Sequence, residues 1–240
     1  FYSGWYKELV TELPQVKHGM ISLSDKPGLG LELLRYLVMG SGLLTSGAST
    51  CAAFVRSTQD VPAPDVQLSF APGSFEPGTY ALERQGGMTI SVYQCRPDSA
   101  GTVHARSSSM RDAPRITPHY LSCESDRRAL VAGLRKAREV FAAPALARWT
   151  TQETLPGNDT RSDEQLLDYA MAKGVSGYHL VGTCRMGGLD AVVDPCLKVR
   201  GVDGLRVIDA SVMPTCTTGN TNAPTLMIAE KGAAMVLADA

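Results

Sequence analysis

After Pro214 the chain makes a turn of small polar residues, Thr217-Thr218-Gly219-Asn220-Thr221-Asn222, and Pro224 then opens TLMIAEKGAAMVLAD, a run of good helix formers. Capping-type residues, a proline in the first turn and an apolar continuation are the marks of a helix start. The first turn of such a helix carries backbone N–H groups with no partner inside the helix, and they attract negative charge. Taken alone, the stretch is better served by an ordinary buried helix with an ordinary cap.

The residues upstream narrow the choice. Leu197 and Val199 alternate with polar neighbours, Asp203-Gly204 makes a turn, and Leu205, Val207 and Ile208 resume apolar character, the pattern of a short hairpin. Its second strand runs into Asp209. A carboxylate leaving a buried strand needs donors for its oxygens, and a ribityl or ribose hydroxyl is one such donor in nucleotide-cofactor sites. Further back, His179 follows Gly177 and Tyr178 in a loop after a helical segment. An imidazole titrates near neutral pH, which makes His179 a candidate base. A lone histidine is more often a hydrogen-bonded core residue.

Together, YHLVGTCRMG, VVDPCLKVRGVDGLRVIDASVMP and GNTNAPTLMIAEKGAAMVL resemble the C-terminal signature of the glucose–methanol–choline (GMC) flavoprotein oxidoreductases, and residues 101–140 resemble the block that precedes it. The likeness runs through about residues 98–236. It implies that His179 stands at the catalytic histidine and Asn220 where the family has a second histidine or an asparagine. Asp209, Ala210, Asn220, Thr221, Asn222 and Ala223 match positions that line the flavin, and the start of the last helix would face its pyrimidine ring, negatively charged on reduction. Leu180 departs from the proline that many relatives carry after the histidine, which would alter loop stiffness rather than chemistry.

Composition agrees with a globular chain. Over 240 residues, 44% are hydrophobic and 20% charged, with a net charge of −1, so neither nucleic acid nor an acidic membrane surface is an expected partner. The six cysteines form no C-x-x-C pair and the four histidines no H-E-x-x-H motif, so no metal is expected. No segment reaches the roughly 20 apolar residues of a membrane span, and no signal peptide is visible. The expected location is a reducing one, the cytoplasm.

Along the chain, the spacing of Trp5, Leu9 and Leu13 predicts a short amphipathic helix stopped by Pro14, and residues 31–39 a second helix closed by Gly40. Residues 53–56 read as a strand. Val66, Leu68 and Phe70, and Met88, Ile90 and Val92, predict two paired strands with one covered face. The Pro- and Gly-rich connection between them, residues 71–87, is either a lid over a binding site or a plain surface loop. Short strands are expected at 102–106 and 116–121. Asp126 is expected to cap a helix striped by Leu130, Leu134, Ala137 and Phe141, and Ser162 with Gln165 to form a capping box for a helix ending at Gly174.

The fold class that follows is α+β. A mixed or antiparallel sheet flanked by helices forms most of a substrate-binding domain, residues 1–175. A C-terminal hairpin and helix, residues 176–240, return into an FAD-binding α/β domain. The resemblance implies FAD as cofactor, yet the sequence holds no G-x-G-x-x-G between a strand and a helix. The N-terminal flavin-binding half is therefore an expected partner, and a small-molecule alcohol the expected substrate. The implied activity is oxidation of a primary alcohol to an aldehyde by hydride transfer to flavin. The alternatives are a non-catalytic fragment or interaction module that keeps the fold without flavin, and a serine hydrolase, which the absence of a G-x-S-x-G elbow disfavours.

Overall fold

The two alternating stretches form β3 (Val66–Ala71) and β4 (Gly87–Gln94), paired antiparallel so that Leu68 faces Val92 and Phe70 faces Ile90. β2 (Cys51–Val55) adds antiparallel to β3. On the other side β4 pairs with β1 (Tyr2–Val10), and β1 with β7 (Thr150–Leu155), both antiparallel. The sheet order is β2-β3-β4-β1-β7, with the two-residue β8 (Val175–Ser176) also pairing with β1. The expected helix through Trp5 and Leu9 is thus a strand. Its backbone is hydrogen-bonded to a neighbour on each side, a tertiary pairing that overrides a local spacing; Leu13 and Pro14 lie outside the described residues.

The computed structural model describes residues 2–10, 26–45, 47, 49–76, 81, 83 and 87–239. They divide into two units, one of Tyr2–Gln94 and Arg127–Val175, the other of Cys95–Asp126 and Ser176–Ala240. In the sheet-bearing unit, α2 (Glu124–Ala142) carries the expected stripe, with Leu130, Leu134, Ala137 and Phe141 all fully buried. The helix lies close on the strands at Gly133, where a Cβ would come within 2.5 Å of Val92 Cγ1 and 2.9 Å of Val66 Cγ1. Gln67 and Thr89, which alternate with Leu68 and Ile90, are buried as well, so both faces of these strands are covered, not one.

Asp126 is not a cap but lies inside the first turn of α2, where its carboxylate accepts the backbone N–H groups of Asp98 and Ser99 at 2.9 and 2.8 Å. The capping box at Ser162 and Gln165 is present and starts α4 (Asp163–Lys173), which follows the one-turn α3 (Pro144–Ala147) and β7. The helix expected at 31–39 is α1 (Lys26–Met39), ended by Gly40 at φ +58°. In the connection after β3, Ser74 and Phe75 are buried, Ser74 donates to the Glu83 carboxylate at 2.7 Å, and the Thr89 hydroxyl of β4 donates to Gly73 O at 2.7 Å, so this part of it is anchored to the sheet.

The other unit contains the hairpin of β5 (Thr102–His104) and β6 (Arg115–Thr117). Its core is built by Val193, Leu197, Val212, Met213 and Ile228, with Val207 and Ile208 packed against it. The hairpin expected at 197–208 is closed by Val199 N–H to Leu205 O at 2.9 Å and Val207 N–H to Leu197 O at 3.1 Å. α5 (Asn222–Ala238) follows. Gly232 lets α5 approach Ile208, since a Cβ there would sit 2.4 Å from Ile208 Cγ2. Ile228 and Gly232 are its buried positions; Leu226, Met227, Val236 and Leu237 are exposed. Among the described residues no helix is long and apolar enough to cross a membrane.

Candidate functional site

His179 is held by contacts from three other segments. Ser176 Oγ accepts the backbone N–H of Tyr178 at 3.1 Å and the phenol of Tyr120 at 2.9 Å, which pins the chain just before the histidine. Tyr178 itself sits at φ +59°. That left-handed backbone costs a bulky residue about 1–3 kcal/mol and persists only where surroundings enforce it. After the histidine, the Cys216 thiol donates to His179 O at 3.7 Å. The imidazole is half-buried, and burial lowers its pKa from the usual histidine value. A lowered pKa favours the neutral form of the ring, the form able to accept a proton.

The third contact joins the two ends of the motif. His179 Nδ1 lies 2.8 Å from Thr221 Oγ1, and the Thr221 backbone N–H donates to the same nitrogen at 3.4 Å. Thr221 is the N-cap residue of α5 and is 7% exposed. Asn220, immediately before it, is exposed, and so are Asn222 and Ala223, the first two residues of the helix. Their N–H groups belong to the turn that lacks intrahelical acceptors. Asp209 is exposed and caps the 3-10 turn Ala210–Val212 by accepting Ser211 N–H at 2.7 Å through one oxygen. Ala210 is turned instead toward the core of Val193, Val212 and Ile228.

His179 and the Asn220–Ala223 turn are thus drawn together through Thr221. The contacts that Thr221 and Tyr120 make had no sequence signal, because each reaches the histidine loop from another segment; Ser176 acts locally, two residues before Tyr178. The donor set fits a flavin: exposed amides at a helix start suit its polar, electron-rich ring edge, and the exposed Asp209 carboxylate suits a hydroxyl of its chain. Among the described residues no group of three or more His, Cys, Asp and Glu side chains is arranged to hold a metal ion.

Residues 97–229 match the C-terminal family model described as GMC oxidoreductase. An alcohol dehydrogenase [acceptor] of Pseudomonas putida is 37% identical over 85% of this chain and 37% of its own length. An oxygen-dependent choline dehydrogenase of Burkholderia vietnamiensis is 40% identical over 86% of this chain and 36% of its own. The chain thus spans little more than a third of the length of these curated relatives. Among solved structures, pyridoxine 4-oxidase from Mesorbium loti superposes with a TM-score of 0.72 at 29% identity, over 78% of this chain and 37% of that one. A formate oxidase of Aspergillus oryzae, studied for modification of its FAD, superposes with a TM-score of 0.86 at 22% identity, over 99% of this chain and 46% of that one.

Proposed function

The chain belongs to the GMC oxidoreductase family, and we propose that it supplies the substrate-binding part and the catalytic histidine of an FAD-dependent enzyme oxidising a primary alcohol to an aldehyde. The observation that carries this reading is the half-buried His179 fixed by Thr221 at the start of α5. FAD, when bound, supplies the acceptor for the two electrons and the hydrogen that leave the carbinol carbon. His179 takes the proton of the substrate hydroxyl. Asn220, exposed beside it, donates its carboxamide N–H to the same oxygen and orients it. Proton removal by a positioned base contributes typically about 10²–10⁴-fold.

Asp209, Asn220, Thr221, Asn222 and Ala223 form the edge of this chain that the cofactor would touch, with Ala210 backing it from the core. The remainder of the FAD site belongs to a flavin-binding N-terminal half. The exposed apolar side of α5, with Leu226, Met227, Val236 and Leu237, supports that partner, because an apolar helix with two buried positions leaves a face to be covered. The alcohol and choline dehydrogenase relatives favour a small alcohol as substrate. The test is His179→Ala in the full-length flavin-loaded enzyme, followed by stopped-flow flavin reduction. Reduction is expected to slow at least about 10²-fold with flavin content retained, since a base is lost but little core volume. A reduction rate equal to wild type would remove His179 from the reaction.

A further inference from the structure

α1 is built the wrong way round for the unit it belongs to. Its buried side chain is a carboxylate, Glu32 at 7% exposure, while Leu31, Leu37 and Val38 are 70–74% exposed. Glu32 faces the turn that follows the helix: a Cβ at Gly42 would sit 2.7 Å from its Oε2, and Arg35 Nη1 lies 3.8 Å from its Oε1. Within the described residues, α1 packs on the 3-10 turn Leu43–Thr45. At 3.6 residues per turn, Leu31, Leu33, Leu34, Tyr36 and Met39 are spread around the whole circumference of the helix, and all five are exposed.

Each leucine turned to water gives up the stabilisation of burial, and a contiguous apolar surface of this kind marks a contact face. The shape of the face decides what covers it. A helix lying on a lipid surface sinks one side and needs a charged, Lys- and Arg-rich opposite side, whereas α1 is apolar on every side. Its 14 residues also fall short of the roughly 20 that span a bilayer. A second copy meeting α1 across a two-fold axis would cover one side and leave the other wet. A helix that is apolar all round belongs in the core of a larger protein. This chain spans little more than a third of the length of its curated relatives and matches the C-terminal family model, so a flavin-binding N-terminal half is long enough to provide that core.

Resting on the reading that such a half precedes this chain, we propose that it closes round α1, which is then a core helix of the whole enzyme and an anchor between the halves in addition to α5. Leu31, Leu34 and Leu37 are buried by residues ahead of Phe1, and Glu32 stays against its own turn.

The test is made in the full-length enzyme. Leu34→Cys and Leu37→Cys are treated with N-ethylmaleimide and read by mass spectrometry on the peptide carrying each site, so that the native cysteines do not interfere. Each thiol is expected to react at least about 10-fold more slowly in the folded enzyme than in urea, because labelling then waits for local opening, and to do so equally at every dilution. With Leu37 replaced by the photoreactive p-benzoylphenylalanine, irradiation is expected to cross-link α1 to peptides ahead of Phe1 within one polypeptide. Labelling as fast in the folded enzyme as in urea overturns the proposal, and flotation of that enzyme with phosphatidylcholine–phosphatidylglycerol vesicles would make a lipid surface the cover instead. Protection that fades on dilution, or a cross-linked dimer, identifies a second copy and equally overturns it. Full-length enzyme with protected thiols and no bound flavin sinks the flavin reading and leaves the enclosure of α1 standing; bound flavin with both thiols reactive does the reverse.

Discussion

Gly232 is the point where the position of α5 is set, and Gly232→Ala tests that directly. The added Cβ would lie 2.4 Å from Ile208 Cγ2, 3.0 Å from Cδ1 and 3.1 Å from Cγ1. Carbon atoms rest at about 3.5–4.0 Å, so the helix and the segment carrying Ile208 must separate by about 1 Å. Cγ2 branches from Cβ and cannot swing away as the tip of a long side chain would. Overpacking of this kind costs about 1–3 kcal/mol, against which alanine regains about 0.8–1.0 kcal/mol of helix propensity. The expected net effect is a destabilisation of up to about 2 kcal/mol. Because Ile208 leads into Asp209 and α5 begins with Asn222 and Ala223, the displacement should also lower flavin occupancy. Ile208→Ala removes all three clashing atoms and costs about 2 kcal/mol by itself, the low end for a partly buried isoleucine. In that background Gly232→Ala should become neutral or stabilising. Urea unfolding followed by circular dichroism, over the four members of the cycle, gives the coupling. Strictly additive costs, or a Gly232→Ala single variant more stable than wild type, would refute the close approach as the reason for the glycine.

The remaining predictions concern two carboxylates held in ion pairs. Arg138 holds Glu153 through two bonds, Nε–Oε2 at 3.0 Å and Nη2–Oε1 at 2.7 Å, and Nη2 also donates to Thr160 O at 2.6 Å; the side chains are 22% and 7% exposed. Glu153→Ala removes the counter-charge of the guanidinium and should lower unfolding stability by about 3 kcal/mol, the low end for breaking a buried pair, with a urea midpoint equal to wild type as the contrary result. Asp239, at the end of α5, meets Lys198 at 2.7 Å and Arg206 at 2.5 Å, and their hydrogen bonds hold its carboxyl at about 2. A carboxyl depressed in the folded state stabilises above its unfolded value and loses that contribution as pH falls through the folded one. The melting-temperature gap between wild type and Asp239→Asn should therefore be constant above about pH 5 and close between about pH 4 and 2; a gap that persists unchanged to pH 2 would contradict the pairing.

What the sequence revealed and what it concealed divide along the range of the forces involved. The α2 stripe, the Ser162–Gln165 box and the pairing of β3 with β4 were legible because each is written in neighbouring residues. β1 was misread for a geometric reason. Residues 5, 9 and 13 lie four apart, which places them on one side of a helix, but all three are odd, which also places them on one side of a strand. The choice was made by β4 and β7, roughly 80 and 150 residues away, and no local period encodes that. Asp126 was misplaced for a related reason: its type suits a cap, yet its oxygens serve Asp98 and Ser99, whose position is a tertiary fact.

The site repeats the division. His179 and Asn220 could be singled out by residue type and motif, while what makes His179 usable is held from outside its own stretch. Tyr120 anchors Ser176, Cys216 bonds the histidine carbonyl, and Thr221 takes the ring nitrogen. Tyr178 then sits in a left-handed conformation that its own side chain disfavours. A residue in such a conformation signals that the surrounding hydrogen bonds, not local preference, fix the backbone there. The imidazole is consequently delivered to the start of α5 by a strained loop tied at both ends. Relaxing one tie should move the ring before it unfolds the unit, because the core of Val193, Leu197, Val212, Met213 and Ile228 contains none of the tying residues.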